Sequence, residues 1–164
     1  KRPYLLAVGV NERKNTARII QAYKHSKFFK KYDMVLVGEP QIEVEKFQGL
    51  IPAGHVSQEE LKAFYSGAEV LVFPSLYEGF GLPILDAFVC GCPVVTSNIS
   101  SMPEVAVEAA VLVDPYSVDS IASGIQKASK DREVLVKKGL KRLKDFSWDK
   151  AAKKTLEVYM EVKH

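Results

Sequence analysis

Two carboxylates, Glu78 and Asp86, flank a short turn that carries two glycines, Glu78-Gly79-Phe80-Gly81-Leu82-Pro83. The apolar run Val70-Leu71-Val72-Phe73 enters this turn and an apolar stretch reaching Gly91 leaves it, so it reads as a strand-to-helix turn. Such a turn suits an anion, because the first backbone N–H groups of a helix have no partner inside it and point beyond its end. Gly79 and Gly81 allow the tight bend and leave no side chain between the amides and a ligand. Pro83 suits the first helical position, where its missing N–H costs nothing. Glu78 is therefore expected in the loop and Asp86 in the first turn of the helix, turned away from a stripe of Ile84, Leu85, Phe88 and Val89. There Asp86 either meets a ligand or only complements the positive helix start.

A second group lies near the start. Gly9-Val10-Asn11-Glu12-Arg13-Lys14-Asn15 follows the apolar run Tyr4-Leu5-Leu6-Ala7-Val8 and precedes a helix with Ile19, Ile20 and Tyr23 on one side. Arg forks onto two oxygens and Lys supplies a point charge, so Arg13 and Lys14 suit a phosphate. A solvated loop is the alternative. His55, in the loop His55-Val56-Ser57, either touches a ligand or does nothing of the kind.

The elements that must position these groups follow from apolar patterning. Runs at 4–8, 33–38, 50–54, 70–73, 94–96 and 110–113 read as strands, and the first, lacking polar alternation, as a buried parallel one. The proline at 52 predicts an edge position or a strand start for the third run. Residues 39–47 show no clear period and read as loop or weak helix. Ser57 with Glu60 forms a capping box before a helix carrying Leu61, Phe64 and Tyr65. Helical spacing returns from Ser117, continues over 134–143, and ends in a helix opened by Ser147, with Trp148, Ala152, Leu156, Tyr159 and Met160 on one stripe. Strands alternating with helices predict an α/β fold, a Rossmann-like doubly wound parallel sheet of about six strands with helices on both faces.

At 164 residues the chain is one ordinary domain, large enough to bury about 70% of its unfolded surface. An apolar share of 47% and a charged share of 26% place it among soluble globular proteins. No apolar run approaches the ~20 residues needed to span a bilayer. The start shows no signal-peptide pattern, and the abrupt Lys1-Arg2-Pro3 opening suggests a piece of something longer. A net charge of +3 is too small to indicate nucleic acid. Cys90 and Cys92 stand one residue apart, a spacing poor for a disulfide and short of a zinc quartet, and read as reduced, packed thiols of a cytosolic protein. The basic cluster Lys137, Lys138, Lys141, Arg142 and Lys144 reads as a solvated face or a surface for a membrane or partner.

A doubly wound sheet raises the dinucleotide dehydrogenase first. The first turn holds Gly9 but no Gly-x-Gly-x-x-Gly, and carries a basic pair instead. No Gly-x-x-x-x-Gly-Lys-Ser/Thr occurs. Phe80 between the central glycines excludes a nucleophile elbow.

The run Pro74-Ser-Leu-Tyr-Glu-Gly-Phe-Gly-Leu-Pro-Ile-Leu-Asp-Ala-Phe-Val-Cys-Gly-Cys-Pro93 resembles the signature of retaining group 1 (family 4) glycosyltransferases with the GT-B fold. So do Val8-Gly9 with Glu12-Arg13-Lys14-Asn15, His55-Val56-Ser57, Ser101-Met102-Pro103-Glu104 and Phe146-Ser147-Trp148, in order along nearly the whole chain. The resemblance implies one half of a GT-B fold, the nucleotide-sugar-binding domain over 1–164. Its C-terminal helix, 146–164, would pack on an N-terminal acceptor domain absent from this chain, or else cover its own domain.

It further implies that Lys14 and Glu78 serve catalysis, Lys14 on the donor diphosphate and Glu78 on the hydroxyls of the transferred sugar. Arg13 and Gly9, with the amides of Gly79, Phe80, Gly81 and Leu82, would hold the diphosphate and sugar, Asp86 the ribose, and backbone near His55 and Val56 the base. Asp86 stands where the family usually has glutamate, and Val10 where many members carry arginine, which places more of the diphosphate charge on Lys14.

The implied reaction is transfer of a hexosyl group from a nucleotide diphosphate sugar to an acceptor hydroxyl, with retention and without a metal or other cofactor. The Glu-Arg-Lys-Asn turn resembles that of mannosyltransferases of surface polysaccharide biosynthesis, with GDP-mannose as the expected donor. The expected place is the cytoplasm, peripheral at the inner membrane face, and no nucleic acid is expected as a partner. The competing readings are a non-catalytic nucleotide-sugar binding module and a sugar-nucleotide epimerase or a phosphorylase of similar architecture, the last with pyridoxal phosphate on a lysine.

Overall fold

The six apolar runs form six strands: β1 (Tyr4–Val10), β2 (Asp33–Pro40), β3 (Leu50–Gly54), β4 (Val70–Phe73), β5 (Val94–Ser97) and β6 (Val111–Val113). A computed structural model describes residues 2–162; Lys1, of the basic opening, and residues 163 and 164, the end of the expected last helix, lie outside the described residues. Every strand pairing is parallel, and the order across the sheet is β3-β2-β1-β4-β5-β6. The proline-bearing β3 takes an edge, where the absent N–H of Pro52 breaks no ladder on its open side.

Helices α1 (Thr16–His25), α2 (Gln58–Gly67), α3 (Leu82–Val89), α4 (Met102–Ala106), α5 (Val118–Lys130), α6 (Arg132–Arg142) and α7 (Trp148–Val162) connect and cover the strands. Alternate strand residues point to opposite faces, and two apolar clusters follow. On one face Leu5, Ala7, Met34, Leu36, Val70 and Val72 meet Ile19 and Tyr23 of α1 and Ile121 and Ile125 of α5. On the other, Leu6, Val35, Leu71, Phe73 and Val94 meet Tyr65 of α2, Ile84 and Phe88 of α3 and Met102 of α4. This is the doubly wound α/β sheet expected from the alternation of runs.

The chain leaves β1 toward β2 and β3 and then returns to place β4 on the other side of β1. At this reversal the loops after β1 and β4 diverge to opposite faces and leave a crevice at the carboxyl ends of the strands. The Arg13-Lys14 turn follows β1 and the glycine turn follows β4, so both stand at that crevice.

Several boundaries differ from the sequence reading. Residues 41–49 are irregular, and β2 runs on to Pro40. Leu82 opens α3, so Asp86 is its fifth residue, in the second turn rather than the first. The buried stripe of α3 is Ile84, Ala87 and Phe88, while Val89 is 67% exposed. Val89 lies five residues beyond Ile84, about 140° round the helix. The capping box of Ser57 and Glu60 forms as expected, and Ser117 and Ser147 each accept a backbone N–H at the starts of α5 and α7. Both cysteines are free; burial pushes the Cys92 thiol up to about 12, which keeps it protonated and inert.

No residue of α7 among those described is buried; Trp148 is 83% exposed and Tyr159 68%. The helix therefore does not cover its own sheet. Among the described residues, no helix is long and apolar enough to cross a membrane.

Candidate functional site

Glu78 sits at the centre of the crevice, 9% exposed, with both basic side chains of the first turn on it. Lys14 Nζ donates to Glu78 Oε1 at 2.8 Å, and Arg13 Nη1 reaches Glu78 Oε2 at 2.8 Å. The three residues expected to carry charge chemistry are thus brought together from loops 64 residues apart. Lys14 is nearly buried and Arg13 about half exposed, so the lysine contact is the desolvated one. The Lys14 ammonium also lies 4.3 Å from the centre of the Phe73 ring, whose face attracts a cation.

Gly9 makes the lysine's path available. Its φ is +84°, and a Cβ there would stand 2.8 Å from Lys14 Cγ, so the lysine stem lies across the end of β1 only because no side chain is present. Backbone contacts fix the two loops to each other: Leu76 N–H donates to the Arg13 carbonyl, and Arg13 Nη1 to the Tyr77 carbonyl.

Burial alone would raise the Glu78 carboxyl, but the hydrogen bond and charge of Lys14 outweigh it and hold the group below the ordinary carboxylate range. Arg13 acts in the same direction. Desolvation lowers the Lys14 ammonium, with Arg13 adding to the shift and Glu78 opposing it. A cation short of water beside a carboxylate that stays ionised can meet a second anion without first shedding a hydration shell.

Gly81 caps α3 with φ +100°, a conformation glycine adopts without steric cost. Gly79 has open space around its Cα, so a ligand can approach its backbone closely. The N–H groups of Gly79, Phe80, Gly81 and Leu82 donate to no acceptor among the described residues. The Phe80 ring meets Phe146 edge-on, 5.7 Å between centres.

Asp86 stands apart from this centre. It is exposed on α3, and its carboxyl is raised by desolvation, which the charge of Lys62 on α2 opposes. His55 is exposed, its backbone N–H bound to Glu39 Oε1, and Val56 is half-buried in the second cluster. Both follow β3, two strands from β1, about 10 Å across the sheet. They and Asp86 do not join the Lys14–Glu78 pair. Among the described residues no group of three or more His, Cys, Asp or Glu side chains comes together as a metal ligand set.

Sequence reasoning missed the polar residues that hold the loops. Asn15 is 3% exposed at φ +62°, and its side-chain amide donates to the carbonyls of Pro74 and Pro115 at 3.0 and 2.6 Å. It thereby ties the β1 loop to those after β4 and β6. Asn11 Oδ1 accepts the Lys14 N–H at 2.9 Å. Ser100 and Ser101, from the loop after β5, bind backbone groups of Glu78 and Phe80. Small polar residues in a loop signal only a turn in sequence; their long-range partners emerge in the folded chain.

The chain is similar to proteins of one family. Residues 1–147 match the family described as "Glycosyl transferases group 1". The chain is 37% identical to the O-antigen chain mannosyltransferase B of Escherichia coli, over 95% of this chain and 45% of that protein. It is 33% identical to the serotype-specific mannosyltransferase WbdA of Escherichia coli, over 94% of this chain and 21% of that one. In structure it is similar to the sucrose-phosphate synthase of Thermosynechococcus elongatus, with a TM-score of 0.79 and 25% identity, over 99% of this chain and 46% of that chain. The chain spans less than half the length of each.

Proposed function

The chain belongs to the group 1 glycosyl transferases, a glycosyltransferase domain with the Rossmann-like architecture of a GT-B half, and from that premise we propose that its crevice holds the diphosphate of a nucleotide sugar. The observation that carries this is the convergence of Lys14 and Arg13 on Glu78 beside amides that have no partner among the described residues. Lys14 and Arg13 turn from Glu78 to the phosphate oxygens, and the loop amides complete their coordination. Glu78, released from the cations, accepts hydrogen bonds from hydroxyls of the sugar.

As the glycosyl bond breaks, negative charge grows on the leaving phosphate. Lys14 and the amides stabilise it in place, without reorganisation at the moment of reaction and without a metal. Asp86, one helical turn and more beyond the amides, reaches toward the ribose, and the backbone at His55 and Val56 toward the base. The likeness to two mannosyltransferases supports a mannosyl donor, GDP-mannose first, used in polysaccharide assembly with retention at the anomeric carbon. The acceptor comes from a second domain, on which the exposed stripe of α7 packs, and the full-length enzyme works at the inner membrane face.

Titration of the full-length protein with GDP, UDP and ADP tests the site, and turnover with the matching sugar nucleotides tests the reaction. Lys14→Ala is expected to lower the rate by about 10²–10³, the scale of losing one oxyanion donor. Near-normal turnover in that variant would refute the assignment.

A further inference from the structure

Ser101 occupies the N-cap position of α4, where a serine hydroxyl ordinarily accepts a backbone N–H of the first turn. It makes no such cap here. Its Oγ lies instead 3.0 Å from the carbonyl of Glu78 and 2.9 Å from that of Phe80, and the hydroxyl donates to this pair across the gap between the β5 and β4 loops. Beside it Ser100, at φ +59°, accepts the Glu78 N–H at 3.2 Å and donates to the same Glu78 carbonyl at 2.9 Å. Two adjacent serines are therefore committed to the backbone of the glycine turn.

A trans peptide plane sets the consequence, because its C=O and the following N–H point in opposite directions. Turning the Glu78 carbonyl toward Ser101 turns the Gly79 N–H away from it, and turning the Phe80 carbonyl toward Ser101 does the same for Gly81. The β4 loop lies between those of β5 and β1. Amides that face away from the β5 side face the crevice where Lys14 and Arg13 stand.

We propose that Ser101 is a positioning residue whose single hydroxyl, by gathering the carbonyls of Glu78 and Phe80, aims the amides of Gly79 and Gly81 at the phosphates of the donor. This rests on the diphosphate reading of the crevice given above. Ser101 touches neither substrate nor reacting atoms; its effect passes through the two peptide planes.

The test uses the full-length protein, titrated with GDP, UDP and ADP, and then with the monophosphate of whichever base binds. For Ser101→Ala the expected result is about a tenfold loss of affinity for the nucleoside diphosphate, the scale of one hydrogen bond's net worth, with the monophosphate changed less than about threefold. Ser101→Thr, which keeps the hydroxyl, is expected to restore diphosphate binding. Unchanged diphosphate affinity in Ser101→Ala overturns the proposal, as does an equal loss for both nucleotides with a lowered melting temperature, which would mark a merely structural residue. If the unsubstituted protein binds none of the three diphosphates, the reading of the crevice itself fails and this inference falls with it.

Discussion

Replacing Glu78 by glutamine should destabilise the protein yet tighten its hold on a nucleoside diphosphate. Glu78 is the internal counter-ion of Lys14 and Arg13, each 2.8 Å from one of its oxygens, so a diphosphate must compete with it for the same donors. Removing one partner of a fully buried ion pair costs about 3–5 kcal/mol. The cost here is smaller. Arg13 is 49% exposed and its contact is worth about 0–1 kcal/mol. Lys14 is 12% exposed and keeps an amide oxygen of the glutamine to donate to. A loss of about 2 kcal/mol follows, which for a chain of this size lowers the melting temperature by roughly 4–8 °C.

The same uncompensated cations gain from an arriving phosphate what they lost, so affinity for the diphosphate should rise by about tenfold. Turnover should fall, because the glutamine has lost the anionic acceptor for sugar hydroxyls. Acid behaviour supplies a second check. The Glu78 carboxyl is held below its ordinary value of 4.5, so the pair's stabilisation is complete above that value and is lost as pH falls through the depressed one. Urea titrations between about pH 6 and pH 3 should therefore show a downturn in the unsubstituted protein that Glu78→Gln flattens. Calorimetry decides the central point: weaker or unchanged diphosphate binding in Glu78→Gln would refute the idea that Glu78 and the ligand compete.

Two backbone positions give further tests. Val107 adopts φ 49° and ψ −119° at the second position of a turn closed by Ala109 N–H on the Ala106 carbonyl, a conformation made for glycine. Val107→Gly should stabilise by about 1 kcal/mol, the relief of strain less the entropy of the freer residue, read as a higher urea midpoint. Gly9→Ala forces a Cβ to 2.8 Å from Lys14 Cγ at φ +84° and should cost about 1–2 kcal/mol, with a drop in diphosphate affinity as the lysine stem is displaced. A melting temperature and a titration on the same variant separate the two effects.

The sheet was legible because β-strands buried on both faces announce themselves as unbroken apolar runs. Val70–Phe73, buried at all four positions, falls where its run places it, and Leu50–Gly54 also forms a strand but, as an edge, leaves Ile51 and Pro52 exposed. Proline at 52 put β3 on the edge for a stated reason, and Ser57 with Glu60 marked a helix start that the structure repeats. The site was legible in its charged members, Arg13, Lys14 and Glu78, since each stands in a strand-to-helix turn and such turns gather at one end of a parallel sheet. What stayed hidden was long-range and polar. Nothing local in Asn15 tells of Pro74 and Pro115, 59 and 100 residues away, and nothing in Ser101 tells that its hydroxyl abandons its own helix. Asp86 was placed one residue too early in its helix, because the glycine turn admits Leu82 into the helix before the proline.

The arrangement of Glu78 also accounts for how a nearly buried lysine is tolerated at all. A desolvated ammonium without an anion is among the more costly things a fold can contain, and among the described residues Lys14 has only the Phe73 ring as a further partner. In the structure Glu78 supplies that charge. In the proposed filled crevice the diphosphate supplies it, and the glutamate is released to the sugar. On this reading the cation faces an anion in both states, first the carboxylate and then the diphosphate, at the cost of displacing the carboxylate. With two cations and one carboxylate the cluster carries a single net positive charge, so the proposed binding is an exchange of one anion for a more highly charged one. That exchange favours a diphosphate over a monophosphate by charge alone, before any amide of the glycine turn is engaged.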